Sequence, residues 1–201
     1  MISFKFQTSS FKNRGFTPHL LVRKGAGFTL IEILVVLIII VILTAVAFSN
    51  YKTGQRQLAL QRAAGKLAQD IRRAQEMAMG AEECVLCPGG GVPSGGYGIY
   101  IDKFVKDRYY IYADISDPKY RYGSGDQIIE IIYLEEGITI YDLVPPSANF
   151  SINFRPPDPI VDIRDAAGQD KENVTIIVSL ETDSTKTKTI KVNEVGRIDI
   201  E

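Results

Sequence analysis

The 201-residue chain is short of the side chains from which most catalytic and metal sites are built. Its only histidine is His19, so the segment after Gly27 cannot supply a Ser-His-Asp or Cys-His arrangement. Cys84 and Cys87 are the only thiols, too few without histidine for the four nitrogen or sulfur ligands of a zinc site. An excess of basic charge is missing as well. Residues 1–27 hold Lys5, Lys12, Arg14, Arg23 and Lys24 and no acid, which leaves 18 basic against 24 acidic residues beyond them, a net of −6. That balance argues against a broad basic face for nucleic acid. The expectation is a protein with no catalytic residues, no metal, no cofactor and no nucleic-acid partner. Only paired-carboxylate chemistry stays formally open.

Proline and charge are absent over a long stretch. No proline occurs between Phe28 and Glu83, and from Phe28 to Phe48 the chain reads FTLIEILVVLIIIVILTAVAF. Glu32 is the one ionisable group in that run, and Thr29 and Thr44 add the only other polar side chains. About 20 apolar residues are enough to cross a bilayer. A carboxylate at the centre of one costs roughly 2.5 to 3.5 kcal/mol, so its presence calls for a partner.

Beyond the run, Tyr51, Leu58, Ala64, Leu67, Ile71, Ala74 and Ala78 recur mostly three, four or seven apart among polar residues, one apolar stripe on a helix. Gly54, Gly65 and Gly80 weaken such a helix without stopping it. The pattern predicts one continuous helix of about 53 residues, ending near Cys84, shortly before the CPGGGVPSGG run that starts at Cys87. Its apolar half covers 28–48 and its amphipathic half 49–83.

Residues 84–201 then carry short β-branched and aromatic runs: YGIYID, RYYIYAD, QIIEIIYL, ITIYDL, FSINF, VTIIVSL, KTKTIKV and RIDI. With no helical pattern between them the strands should pair antiparallel, and the stripe should pack on one sheet face. In the KTKTIKV run Ile190 and Val192 share a face opposite Lys191. The fold class expected is α+β. The stretches 144–149 and 155–173 read as surface loops. The second gathers Asp158, Asp162, Asp165, Asp170 and Glu172, but without the D-x-D-x-D-G spacing of a calcium loop, so a solvated acidic loop is favoured. The tyrosines at 97, 100, 109, 110, 112, 120 and 122 read as packing residues, with a ligand-binding or DNA-contacting patch as the sharper alternative that nothing in their spacing supports.

Three readings of the apolar run compete. A signal peptide cut after Thr44-Ala45-Val46-Ala47 conflicts with the run's length and its acid, since a removable core spans roughly 7 to 15 residues. A plain single-pass anchor, carrying an extracytoplasmic β domain with a binding or hydrolytic role, leaves Glu32 unexplained. The third reading rests on Lys24-Gly25-Ala26-Gly27-Phe28-Thr29-Leu30-Ile31-Glu32. This stretch resembles the cleavage and methylation signal of type IV prepilins and type II secretion pseudopilins.

The resemblance implies recognition of Lys24, Gly27, Phe28, Thr29, Leu30, Ile31 and Glu32 by a prepilin peptidase. It implies cleavage between Gly27 and Phe28 on the cytoplasmic side, removal of leader 1–27, and methylation of Phe28. Glu32 then neutralises the N-terminus of a neighbouring subunit as helices stack into a filament. A unit charge pair at 4 Å gains about 4 kcal/mol at an effective dielectric of 20, much of it offset by desolvation, so what survives is register. Further implied partners are other pilins or pseudopilins, an inner-membrane assembly platform and the lipid bilayer. The implied location is the cytoplasmic membrane, single-pass, with residues 84–201 outside the cytoplasm, and then the filament. Charge alone barely fixes that orientation, because Lys12, Arg14, Arg23 and Lys24 face Lys52, Arg56 and Arg62 across the run.

The ending Lys191-Val192-Asn193-Glu194-Val195-Gly196-Arg197-Ile198-Asp199-Ile200, after a Phe154-Arg155-Pro156 segment, resembles the minor GspH/FimT-type branch. That branch implies a long helix on a β-sandwich-like body, the pilin fold. Outside the membrane Cys84 and Cys87 would tend to oxidise. Because they follow a helix C-terminus, a structural disulfide is the leading reading, free thiols the next and redox chemistry a distant third.

Overall fold

The computed structural model describes residues 27–117, 120–156 and 160–201, and the backbone alone for residues 48–53. The chain divides between Ala45 and Val46 into two compact units. Helix α1 is assigned over Leu30–Met79. In the first unit its side chains from Leu30 onward are exposed on every side, as apolar residues all round a helix dictate when no described residue packs on them.

In the second unit α1 meets nine strands: β1 (Gly96–Asp102), β2 (Arg108–Asp114), β3 (Gln127–Tyr133), β4 (Ile138–Val144), β5 (Asn149–Arg155), β6 (Ile160–Asp165), β7 (Asn173–Leu180), β8 (Asp183–Asn193) and β9 (Ile198–Ile200). They form two antiparallel sheets, ordered β3-β2-β1-β5-β6 and β4-β7-β8-β9. The fold is α+β, as the run of strands without intervening helices predicts.

Alternation sets the core. Ile99 lies opposite Ile111 and Ile152, Ile152 opposite Ile163, and in the second sheet Ile176 opposite Ile190. All are fully buried, and Lys191 between buried Ile190 and Val192 points out. Leu60, Ala63, Ala64, Leu67, Ala68, Ile71, Ala74, Met77 and Ala78 of α1 close this core. Several are alanines, which bring the helix close to the sheets. The polar flanks of the stripe fix its position. Tyr109 Oη donates to Asp70 Oδ2 at 2.5 Å, Arg73 pairs with Glu130 at 2.6 Å, and Arg72 Nη2 donates to the Ile198 carbonyl at 3.3 Å.

Four sequence readings are corrected. The stretch 155–173 is not all loop. Ile160–Asp165 is an edge strand whose Val161 and Ile163 are buried and whose Asp162, far from solvated, lies between Arg155 (2.7 Å) and Arg164 (3.4 Å). Pro157, Asp158 and Pro159 lie outside the described residues. The helix ends at Met79 rather than near Cys84. Ala81 takes a left-handed φ of 46°, Ala81 N–H donates to the Ala78 carbonyl and Glu82 N–H to the Met77 carbonyl, a Schellman termination. Gly80 is thus the first residue past the helix, and the left-handed stop falls on Ala81. Leu58 leaves the stripe, 54% exposed, and Leu60 takes its place.

Replacing Leu67, which has no exposed surface, with alanine should cost about 2 to 5 kcal/mol. Leu58→Ala should stay within about 0.5 kcal/mol. Urea denaturation of the detergent-solubilised full chain measures both, and equal effects would mean the helix packs in another phase.

Candidate processing and assembly site

Gly27, Phe28 and Thr29 precede the helix in irregular backbone, and Leu30 is its first residue. Thr29 caps it. The Thr29 Oγ1 accepts from the Glu32 N–H at 3.3 Å, and the Thr29 carbonyl accepts from the Ile33 N–H at 3.2 Å. A hydroxyl oxygen that satisfies one of the orphan N–H groups of the first turn is the usual N-cap bond. Sequence reasoning valued Thr29 only as part of a recognition string. The signal it overlooked is Thr-x-x-Glu, the capping-box spacing, in Thr29-Leu30-Ile31-Glu32.

Glu32 therefore occupies the third helical position, where a carboxylate is favoured by the positive end of the helix dipole. Its carboxylate carries no hydrogen bond or ion pair among the described residues. A side chain added at Gly27 would find no atom of the described residues within 4 Å, so none of them demands glycine there. Phe28 is 76% exposed. Lys24, the remaining recognition residue, lies outside the described residues. Further along, the Thr44 hydroxyl donates back to the Ile40 carbonyl at 2.7 Å, so the one other polar side chain of the run keeps its hydrogen bond without water.

The window Leu30–Ala47 is long and apolar enough to cross a membrane, and none of it is buried among the described residues. Residues 22–48 match the family described as the prokaryotic N-terminal methylation motif. No curated protein and no solved structure matches the chain. The chain thus carries a prepilin-type N-terminal methylation motif leading into an apolar helix. The motif supports a type IV pilin- or pseudopilin-like, membrane-anchored subunit.

The rest of the described structure holds no convergent chemistry. No group of three or more His, Cys, Asp or Glu side chains suited to a metal ion occurs among the described residues. Asp165, in the acidic stretch read as a possible cation loop, is held by Lys171 at 3.2 Å and by the N–H groups of Ala167 and Gln169. The tyrosines pack, as expected: Tyr97, Tyr109 and Tyr112 are fully buried, and Tyr122 folds over the outer face of the first sheet against Tyr100 (4.6 Å between ring centres) and Tyr112 (5.2 Å). Burial, helped by the hydrogen bond to Asp70, drives the Tyr109 phenol far above its ordinary range, and burial likewise raises Tyr112. The Arg62 hydrogen bond holds the Glu135 carboxylate below the usual range.

Cys84 and Cys87 are joined as a disulfide with Cα atoms 5.3 Å apart, just after the helix termination. Next to it the Tyr97 hydroxyl donates to the Glu82 carbonyl at 2.9 Å. For so small a ring the chain-entropy gain is about 2 kcal/mol. The double substitution Cys84→Ser/Cys87→Ser should lower stability by about that amount in denaturant and leave the far-ultraviolet spectrum unchanged. A loss of folding would give the bridge a larger role.

Proposed function

We propose that the protein is a structural, non-enzymatic subunit of a type IV pilus or type II secretion pseudopilus, a minor one of the GspH/FimT-type branch. A prepilin peptidase removes residues 1–27 by cutting after Gly27 and methylates Phe28, with Lys24 and Thr29 to Glu32 as recognition residues. Residues 28–48 then hold the subunit in the cytoplasmic membrane, 49–83 link to the body, and 84–201 form the extracytoplasmic body. Assembly onto the inner-membrane platform and into the filament runs through the helix.

The observation that carries this reading is the register of one string. Glycine, phenylalanine, the N-cap threonine and one acid in the first helical turn open an apolar helix that the described residues leave bare. Each part has a physical use. Gly27 meets no packing constraint among the described residues, so its lack of side chain serves whatever handles the peptide bond. Cleavage there creates an ammonium four residues before Glu32, and the acid gains a charge it can neutralise. The bare helix supplies the surface through which copies or relatives of the chain associate.

Mass spectrometry of the membrane-extracted protein should find N-methylphenylalanine at position 28 as the mature N-terminus. An N-terminus at Met1 would end this reading in favour of a plain anchor, and one after Ala47 in favour of a secreted domain. Glu32→Ala should insert in the membrane at wild-type level and lose most of its incorporation into filaments, measured by shearing and quantifying the filament fraction. Wild-type incorporation would remove Glu32 from assembly.

A further inference from the structure

Of the three carbonyls at the entrance to α1, the helix engages only the last. The Thr29 carbonyl accepts from the Ile33 N–H at 3.2 Å, the first bond of the helical ladder. Neither the Phe28 nor the Gly27 carbonyl accepts a backbone hydrogen bond among the described residues. Were the ladder continued backwards, the Glu32 N–H would bond the Phe28 carbonyl and the Ile31 N–H the Gly27 carbonyl. The second of these belongs to the Gly27–Phe28 peptide bond, the one that processing would break.

What stops the ladder is the Thr29 side chain. Its Oγ1 takes the Glu32 N–H at 3.3 Å, the same donor that the Phe28 carbonyl would need, so the first step backwards gains no new bond. Residues 27–29 stay outside the helix, Phe28 is 76% exposed, and a Cβ at Gly27 would meet no described atom within 4 Å. The bond is thus unwound and open among the described residues.

A wound bond is a poor substrate. A hydrolase has to polarise the carbonyl oxygen with donors of its own, and an oxygen already held by a helical N–H has to be released before it can. Only the unwound fraction of the chain then binds productively, and the apparent affinity falls with that fraction. Resting on the reading of Gly27–Phe28 as the processing bond, we infer that Thr29 is a positioning residue for that cleavage: its hydroxyl ends the helix after the bond and so presents the bond unwound to the peptidase. Hydrolysis adds one water across the bond, leaving a carboxylate on Gly27 and an amine on Phe28. The Thr29 hydroxyl neither gains nor loses a proton in that step, because it acts through the backbone it keeps free.

The sequence sets the sign of the effect. Gly25 and Gly27 are weak helix formers, so they and the cap pull the same way, while the residues from Leu30 onward favour the helix. In apolar surroundings an uncapped first turn recovers partners for its N–H groups by winding further, since lipid and detergent tails offer none. Loss of the cap therefore winds the bond and does not loosen it.

The test uses the detergent-solubilised full chain and a purified prepilin peptidase. Thr29→Val keeps the shape of the side chain and removes its acceptor, whereas Thr29→Ser and Thr29→Asn keep an acceptor on a different frame. Thr29→Val should be cut with kcat unchanged and KM raised by up to about fivefold, and the other two with both constants within about twofold of wild type. In isotope-labelled micelles the Gly27 and Phe28 backbone chemical shifts should read as non-helical in wild type, Thr29→Ser and Thr29→Asn, and move toward helical values in Thr29→Val. A wild-type KM for Thr29→Val overturns the inference, and so do unmoved shifts in that variant. A fall in kcat also overturns it, by placing the hydroxyl at the reacting bond. So does Thr29→Asn as poor as Thr29→Val beside a normal Thr29→Ser, which means that the enzyme reads the hydroxyl itself. A wild-type chain left whole at Gly27–Phe28 sinks the processing reading and the inference together, an outcome told apart from the others by the wild type alone.

Discussion

One apolar stretch that no described residue covers governs the rest of the molecule. From Leu30 to Ala47 no face of the helix is buried, and the exposed leucines, isoleucines and valines are too many for water to tolerate. Lipid or other helices have to cover it. Helical backbone meets that demand because every interior N–H and C=O is satisfied within the segment. Even Thr44 turns its hydroxyl onto the preceding turn. A few turns further on, the same helix assignment serves a different solvent. There it narrows its apolar surface to one stripe, because two sheets take that side and water takes the other.

The stripe and the sheets explain the firmness of the body. Small residues at 63, 64, 68, 74 and 78 allow close approach, while Leu60, Leu67 and Ile71 supply the bulk that fills the space between helix and strands. Polar clamps on either flank stop the helix from rolling: Asp70 and Arg73 grip β2 and β3, and Arg72 grips the strand that ends the chain. The outer face of the first sheet is closed by the body's own β2–β3 connection. Asp126 ties that connection down by accepting from the N–H groups of Ile115, Ser116 and Gly123. With Tyr122 laid across Tyr100 and Tyr112, Gly98 has to lack a side chain, since a Cβ there would come within 2.7 Å of Asn153 and of the Tyr112 ring. The tyrosines are therefore spent on packing, which leaves few exposed rings for anything else.

How far the sequence could be read varied with the kind of signal. Strands written in alternating β-branched residues were legible, and so was the long helix, because period and length carry those elements. The strand at 160–165 was hidden by its neighbours. Val161 and Ile163 do alternate with Asp162 and Arg164, but three prolines and a run of acids around them resemble a loop, and the burial of Asp162 depends on arginines that only the fold brings beside it. The helix end was misplaced because the cluster of glycines and prolines after Cys87 is louder than the single Gly80 that begins the turn. Leu58 was taken into the stripe because spacing fixes a face only to within a residue's rotation, about 100°. At the candidate site the string itself was fully legible. The cap at Thr29 was not noticed because its three-residue spacing to Glu32 also belongs to the recognition pattern.

That cap changes the physics of Glu32. At the third helical position a carboxylate has the Thr29 N–H of its own chain as a possible partner, and, on the proposed processing, two more: the ammonium that cleavage would create at its own Phe28 and that of a neighbour. The first two need no association and lose no translational entropy, so a neighbour's amine wins only where geometry denies Glu32 the other two. The Thr29 hydroxyl bears on this directly. By fixing Thr29 as the cap it leaves Phe28 outside the helix, one residue before the cap, while Glu32 projects from the first turn. An amine on an unwound residue is free to turn away from its own helix. An acid on a wound one is not. In the proposed filament, a pairing of Glu32 with a neighbour's amine would therefore depend on where the helix begins, and the chain sets that point with a threonine hydroxyl.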